Sequence, residues 1–153
     1  TECRFHGRIS SVTKKWTAMI RTRLTMDVCG KPWRITVFLP LTRYHVEEIL
    51  DTLKSIEISE ENLKTARENL TTGRVNNGFT FSNSEKRETV SVWAICTSPA
   101  MYFNLIVHEL HHLSVHIADA NQLDLRDEDV CYINGDTAQH LWSLCYPLIC
   151  PQR

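Results

Sequence analysis

The segment from Pro99 to about Ala120 limits the fold more than any other part of the chain. It opens Ser98-Pro99, a capping hydroxyl followed by proline at the first helical position, which is a strong helix start. The residues after it are apolar almost all round: Met101, Tyr102, Phe103, Leu105, Ile106, Val107, Leu110, Leu113, Val115 and Ile117. A helix with so little polar face belongs in the middle of a fold, with other elements covering it. Yet the same run carries His108-Glu109-Leu110-His111-His112, and buried imidazoles and carboxylates are costly without partners.

The rest of the chain must supply that cover. Trp16, Met19, Ile20 and Leu24 recur at helical spacing, with Lys14, Lys15, Arg21 and Arg23 outside them, which predicts a helix over Val12–Met26. Cys29-Gly30-Lys31-Pro32 is a turn, and Trp33–Leu39 alternates as a strand that Pro40 is expected to end. Thr42 can cap a helix to about Lys54, striped by Val46, Ile49, Leu50 and Leu53. Ser59-Glu60-Glu61 opens a more polar helix to about Leu70. Asn76-Asn77-Gly78 and Asn83–Lys86 are turns around a short strand, Phe79–Phe81, and Thr89–Cys96 is a stronger one, so the two strands form a hairpin. After a turn at Asn121–Arg126, a last helix runs from Asp127 to about Tyr146 and stops at Pro147. The expected class is α+β: a small, mainly antiparallel sheet packed against the central helix and the C-terminal helix after it. No repeat or linker divides the sequence, which reads as one domain over 1–153. Residues 1–72 form a helix-strand-helix support region, and 73–153 hold the hairpin and the two last helices.

Composition narrows the function. Among 153 residues, 17 Lys+Arg face 18 Asp+Glu, a formal net charge of −1, so the basic surplus of a nucleic-acid binder is missing. The basic cluster at residues 14–23 is adequately explained as a solvated helix face. Apolar runs fall far short of the roughly 20 residues of a membrane span. None of the 6 cysteines forms a Cys-x-x-Cys pair, and Cys96, Cys131 and Cys145 sit in apolar stretches, which suits reduced thiols and a cytoplasmic protein.

His108 and His112 stand at i and i+4, one turn apart, so both imidazoles leave one helix face and can grip a single Zn²⁺. On a wheel measured from Leu105, His108 falls near about −60°, His112 near −20° and Glu109 near +40°. Glu109 therefore flanks the ion on its open side, where a carboxylate can serve as general base. A catalytic zinc needs a third protein ligand. Glu128, at the start of the next helix, is the first choice; Asp127 and Asp129 are its neighbours, and Asp127 also suits a helix cap. His116 and Asp119 lie on the metal face one or two turns on, placed to orient a ligand, with His116 the rival for third ligand. His111 points elsewhere.

This His-Glu-x-x-His segment resembles the zincin metallopeptidases, in the gluzincin-like arrangement where a Glu on the following helix completes a two-histidine site. Ala118 stands where the metzincin pattern requires its third histidine, after an x-x-Gly-x-x spacer. The stretch Asn76–Gly135, about two fifths of the chain, is similar to small His-Glu-x-x-His proteins of phages and mobile elements of gut Bacteroidetes. The resemblance implies zinc on His108, His112 and Glu128 and a general base at Glu109. Larger zincins add a lobe carrying a Tyr or His that stabilises the transition state; Tyr132 and His140 are the candidates here, each also explicable as a packing or surface residue. In zincins an edge strand pairs with an extended peptide. Thr89–Cys96 fits that role or that of an interior strand, and Asn76–Asn83 fits a substrate loop or a plain turn.

The leading expectation is a zinc-dependent hydrolase acting on a peptide or protein substrate. The alternative is a non-catalytic, metal-stabilised binding module of phage or mobile-element origin that acts on a protein partner. Cleaving or sequestering a repressor combines the two.

Overall fold

A computed structural model describes residues 19–41, 45–73 and 76–150. The order is β1 (Ile20–Val28), β2 (Lys31–Leu41), α1 (Val46–Ser55), α2 (Glu60–Thr71), β3 (Gly78–Asn83), β4 (Glu88–Ala94), α3 (Pro99–Asn121) and α4 (Glu128–Ile149). The fold is α+β, as expected. The four strands form one sheet in the order β1-β2-β4-β3. The outer pairs are antiparallel, and β2 and β4 run parallel at the centre. Among the described residues, that pairing leaves β1 and β3 as the edges.

Consecutive residues of β2 bury themselves on opposite faces. Trp33, Ile35, Val37 and Leu39 join Trp93 and the apolar residues of α3 and α4 in one core. Phe38 joins Ile49, Leu50 and Leu53 of α1, Leu70 of α2 and Val90 and Val92 of β4 in a second. The sheet is thus covered on both sides, α1 and α2 on one face and α3 and α4 on the other.

Four expectations need correction. Residues 20–26 are not helical but belong to β1; residues 12–18 of the expected helix lie outside the described ones. Burial along β1 alternates residue by residue, and nine pairs tie it to β2 from Ile20↔Leu39 to Val28↔Lys31. Ile20, Leu24 and Met26 fit a strand face as readily as a helix stripe, and the partner strand decided the matter. The support region is accordingly two strands and two helices. Pro40 does not end β2, which continues to Leu41 through a register shift against β4 between Phe38 and Leu41. Such irregularities are where a sheet tolerates proline. Nor does Pro147 end α4, which runs to Ile149 and closes with Cys150 N–H on the Tyr146 carbonyl at 2.7 Å.

The Thr42 cap lies outside the described residues; α1 starts after His45, which provides no side-chain cap. Other helix starts follow the expected chemistry. Ser59 Oγ accepts from Asn62 N–H, and Ser98 Oγ accepts from Met101 N–H, each at 3.2 Å. Among the described residues, no helix is long and apolar enough to cross a membrane.

Candidate metal and base site

Helix α3 presents two unlike sides. Tyr102, Leu105, Ile106, Glu109, Leu110, Leu113, Ser114, Ile117 and Ala118 are buried, while His108, His111 and His112 are exposed. His108 and His112 meet one turn apart, their Nε2 atoms 3.1 Å from each other and their rings edge to face at 4.7 Å. Two nitrogen ligands on a tetrahedral zinc stand about 3.3 Å apart at the usual Zn–N bond length. The pair therefore already has close to the spacing a shared ion requires.

Glu109 lies differently from the expectation. Its residue is 2% exposed and belongs to the face that α3 presses on the sheet, rather than to an open flank. Edge strand β3 makes this possible. Gly78 has no Cβ, and one built there would stand 2.9 Å from Glu109 Oε1, 2.9 Å from Leu105 Cδ1 and 2.8 Å from the Val92 carbonyl. Only glycine lets the strand come so close. Thr80, two residues on, donates to Glu109 Oε2 at 2.7 Å.

Thr80 belongs to a ladder of hydroxyls beneath α3. Its Oγ1 is 2.8 Å from Ser91 Oγ, which accepts the Trp93 indole N–H at 2.8 Å. Beside it runs a second chain: Trp33 Nε1 donates to Thr89 Oγ1 at 2.9 Å, Thr89 meets Ser82 Oγ at 2.7 Å, and Ser82 meets His116 Nδ1 at 3.0 Å. Each buried tryptophan thus starts a hydrogen-bonded path that ends on a titratable side chain of α3. None of these hydroxyls was singled out in the sequence. Their signal was present in Phe79-Thr80-Phe81-Ser82 and Thr89-Val90-Ser91-Val92, where hydroxyl and large apolar residues alternate on both strands.

The electrostatics follow the burial. Desolvation lifts the Glu109 carboxyl above its ordinary range, opposed by the Thr80 hydrogen bond and by His112 and His108. Desolvation also lowers His116, as does the neighbouring charge of His112, while Asp119 pulls the other way. Burial pushes Cys96 up to about 11 and Cys145 to about 12, so both thiols stay protonated and unreactive. Cys131, from an equally apolar stretch, is instead exposed.

The other expected site residues are spread out. Asp119 is exposed, and Glu128 and Asp129 lie in the exposed first turn of α4. Asp127 occupies the cap position of α4 without a side-chain capping bond. Tyr132 is 60% exposed, and exposed His140 donates its Nδ1–H to the Asp136 carbonyl at 2.8 Å. Among the described residues, no group of three or more His, Cys, Asp or Glu is gathered to hold a metal ion. The structure therefore joins His108 to His112 but does not bring Glu128 to them. Helix α3 continues to Asn121, nine residues past His112, which is roughly 13 Å of axial rise before the chain turns toward α4.

The expected peptide-pairing strand is also settled: β4, with β2 on one side and β3 on the other, is interior, and the edge beside α3 is β3. The segment Gly78–Asn83 is thus a strand and not a loop. Comparison with protein-family models, curated proteins and solved structures finds no match for this chain.

Proposed function

We propose that the chain is a zinc-dependent hydrolase of the His-Glu-x-x-His type, acting on a peptide or protein substrate in the cytoplasm. The observation that carries this reading is the 3.1 Å spacing of two exposed imidazole nitrogens, with a shielded carboxylate at the intervening position of the same helix. His108 and His112 would hold one Zn²⁺; Glu128, the third ligand expected from the sequence, stands apart from them and would have to approach to complete the set. When bound, such an ion polarises a carbonyl and activates water at neutral pH. Glu109 takes up a proton as general base and returns it to the leaving group, a task suited to a carboxyl lifted above its ordinary range. Edge strand β3, whose outer side pairs with no other strand among the described residues, offers main-chain groups to an extended peptide. Five free cysteines among the described residues accord with a reducing compartment.

The experiment is Zn²⁺ titration calorimetry on metal-free protein, with cleavage of fluorescein-labelled casein as the activity readout. Wild type is expected to bind one ion, and His108→Ala to lose more than about a hundred-fold in affinity. Glu109→Gln should keep the ion and lose at least about a hundred-fold in rate. Equal Zn²⁺ binding by wild type and His108→Ala removes the site. If Glu128→Gln binds as tightly as wild type, the third ligand is not Glu128.

A second reading, a metal-stabilised binding module, draws on apolar side chains left exposed on the same helices: Phe103 and Val107 on α3, Tyr132 and Trp142 on α4. Zinc binding without cleavage of any protein by the wild type would favour it.

A further inference from the structure

Glu109 holds its two oxygens in different states. Oε2 accepts the Thr80 hydroxyl at 2.7 Å. Oε1 accepts no hydrogen bond from the described residues. Oε1 lies against Gly78, whose missing Cβ leaves it room.

The hydrogen bonds leading to Oε2 have a fixed direction. An indole N–H can only donate, so Trp93 donates to Ser91 Oγ. The Thr80 proton is spent on Glu109, so in the 2.8 Å contact between Thr80 and Ser91 the donor is Ser91. Each proton along the path points at the carboxylate. Trp93, Ser91 and Thr80 are 0%, 2% and 8% exposed, so water does not compete for these bonds.

We propose that Thr80 is a positioning residue for the general base: the path Trp93–Ser91–Thr80 pins Oε2 of Glu109 and so sets the orientation of the whole carboxylate. The proposal deepens the hydrolase reading and rests on it. It also explains why buried hydroxyls occupy strand positions where valine would pack as well. A carboxylate held by one oxygen keeps a single orientation, and orientation of this kind is where a base gains much of its effect.

The test uses the whole chain with Thr80→Val, which keeps shape and removes the donor, and Thr80→Ser, which restores the hydroxyl. On fluorescein-casein, Thr80→Val should lower kcat by about ten- to a hundred-fold while KM and Zn²⁺ affinity stay within about two-fold. Thr80→Ser should recover most of the rate. A second readout needs no activity: in metal-free protein the ¹⁵N–¹H resonance of the Trp93 indole should move in Thr80→Val and return in Thr80→Ser. The Trp33 indole, on the Ser82 path, should stay in place. If wild type cleaves casein and Thr80→Val does so equally well, the positioning role is overturned and the hydrolase reading stands. An unmoved Trp93 resonance in folded Thr80→Val overturns the hydrogen-bonded path itself. If zinc-loaded wild type cleaves neither casein nor a mixed-sequence quenched-peptide library, the hydrolase reading fails and this role falls with it.

Discussion

Strands β3 and β4 present two different surfaces built from alternate residues of the same two segments. Toward α1 and α2 they offer Phe79, Phe81, Val90 and Val92, part of a core of apolar side chains. Toward α3 they offer Gly78, Thr80, Ser82, Thr89 and Ser91, all of them joined or pressed to polar side chains. The apolar face needs volume and shape, and its stability grows with the area buried. The hydroxyl face needs each group to have one particular partner, because a buried polar atom left alone costs about 1–3 kcal/mol. The first face stabilises the sheet; the second fixes the orientation of side chains on the helix that bears the histidines.

The contrast is sharpest where the two faces are perturbed separately. Phe38→Ala, fully buried under α1, should cost about 3–5 kcal/mol in urea unfolding while the folded protein keeps its Zn²⁺ affinity. A coupled loss of affinity would show that the two faces are not independent. Gly78→Ala acts on the other side, driving a methyl to 2.8 Å from the Val92 carbonyl and 2.9 Å from Glu109 Oε1. It should cost about 1–3 kcal/mol and reduce activity beyond what unfolding explains. Unchanged stability would mean that the edge strand can withdraw from α3.

Glu109→Gln gives the smallest and most pH-dependent effect on stability. Because the folded carboxyl is raised by burial, the folded state holds that proton more tightly than the unfolded state. Its contribution to stability is present below the ordinary glutamate value and is lost as pH rises through the raised one. Glutamine still offers Thr80 an acceptor and carries no charge to desolvate. With chelator present, the Glu109→Gln variant should therefore show the higher Tm near neutrality, a margin that shrinks as the pH is lowered toward about 4. A margin that grows on acidification would reverse the sign and show the carboxylate to be stabilised in place.

Structure was legible in the chain where neighbours in sequence set it. Ser98 and Pro99 start α3, Ser59 starts α2, and the hairpin of β3 and β4 stands close to its expected bounds. It was not legible at β1, where one spacing of Ile20, Leu24 and Met26 serves two periodicities and only the nine pairs to β2 choose between them. Glu109 shows the same limit. The wheel placed it between the histidines and the apolar stripe, and that angle agrees with its buried neighbours on α3. Whether such a position is open or covered depends on the sheet, and β3 covers it. Glu128 was expected beside the histidines from chain proximity; nine further residues of α3 separate His112 from the turn toward α4.

The i, i+4 pairing of His108 and His112 on an almost wholly apolar helix was written in the chain itself, because one helical turn fixes that distance without help. The contacts that shield Glu109 and aim protons at it join residues 29, 11 and 2 positions apart, and those leading to His116 span 56, 7 and 34. Most of those spans cross between strands, or from strand to helix. They exist only once the strands have chosen their order and the helix has chosen its face, and those choices depend on burying two cores at once.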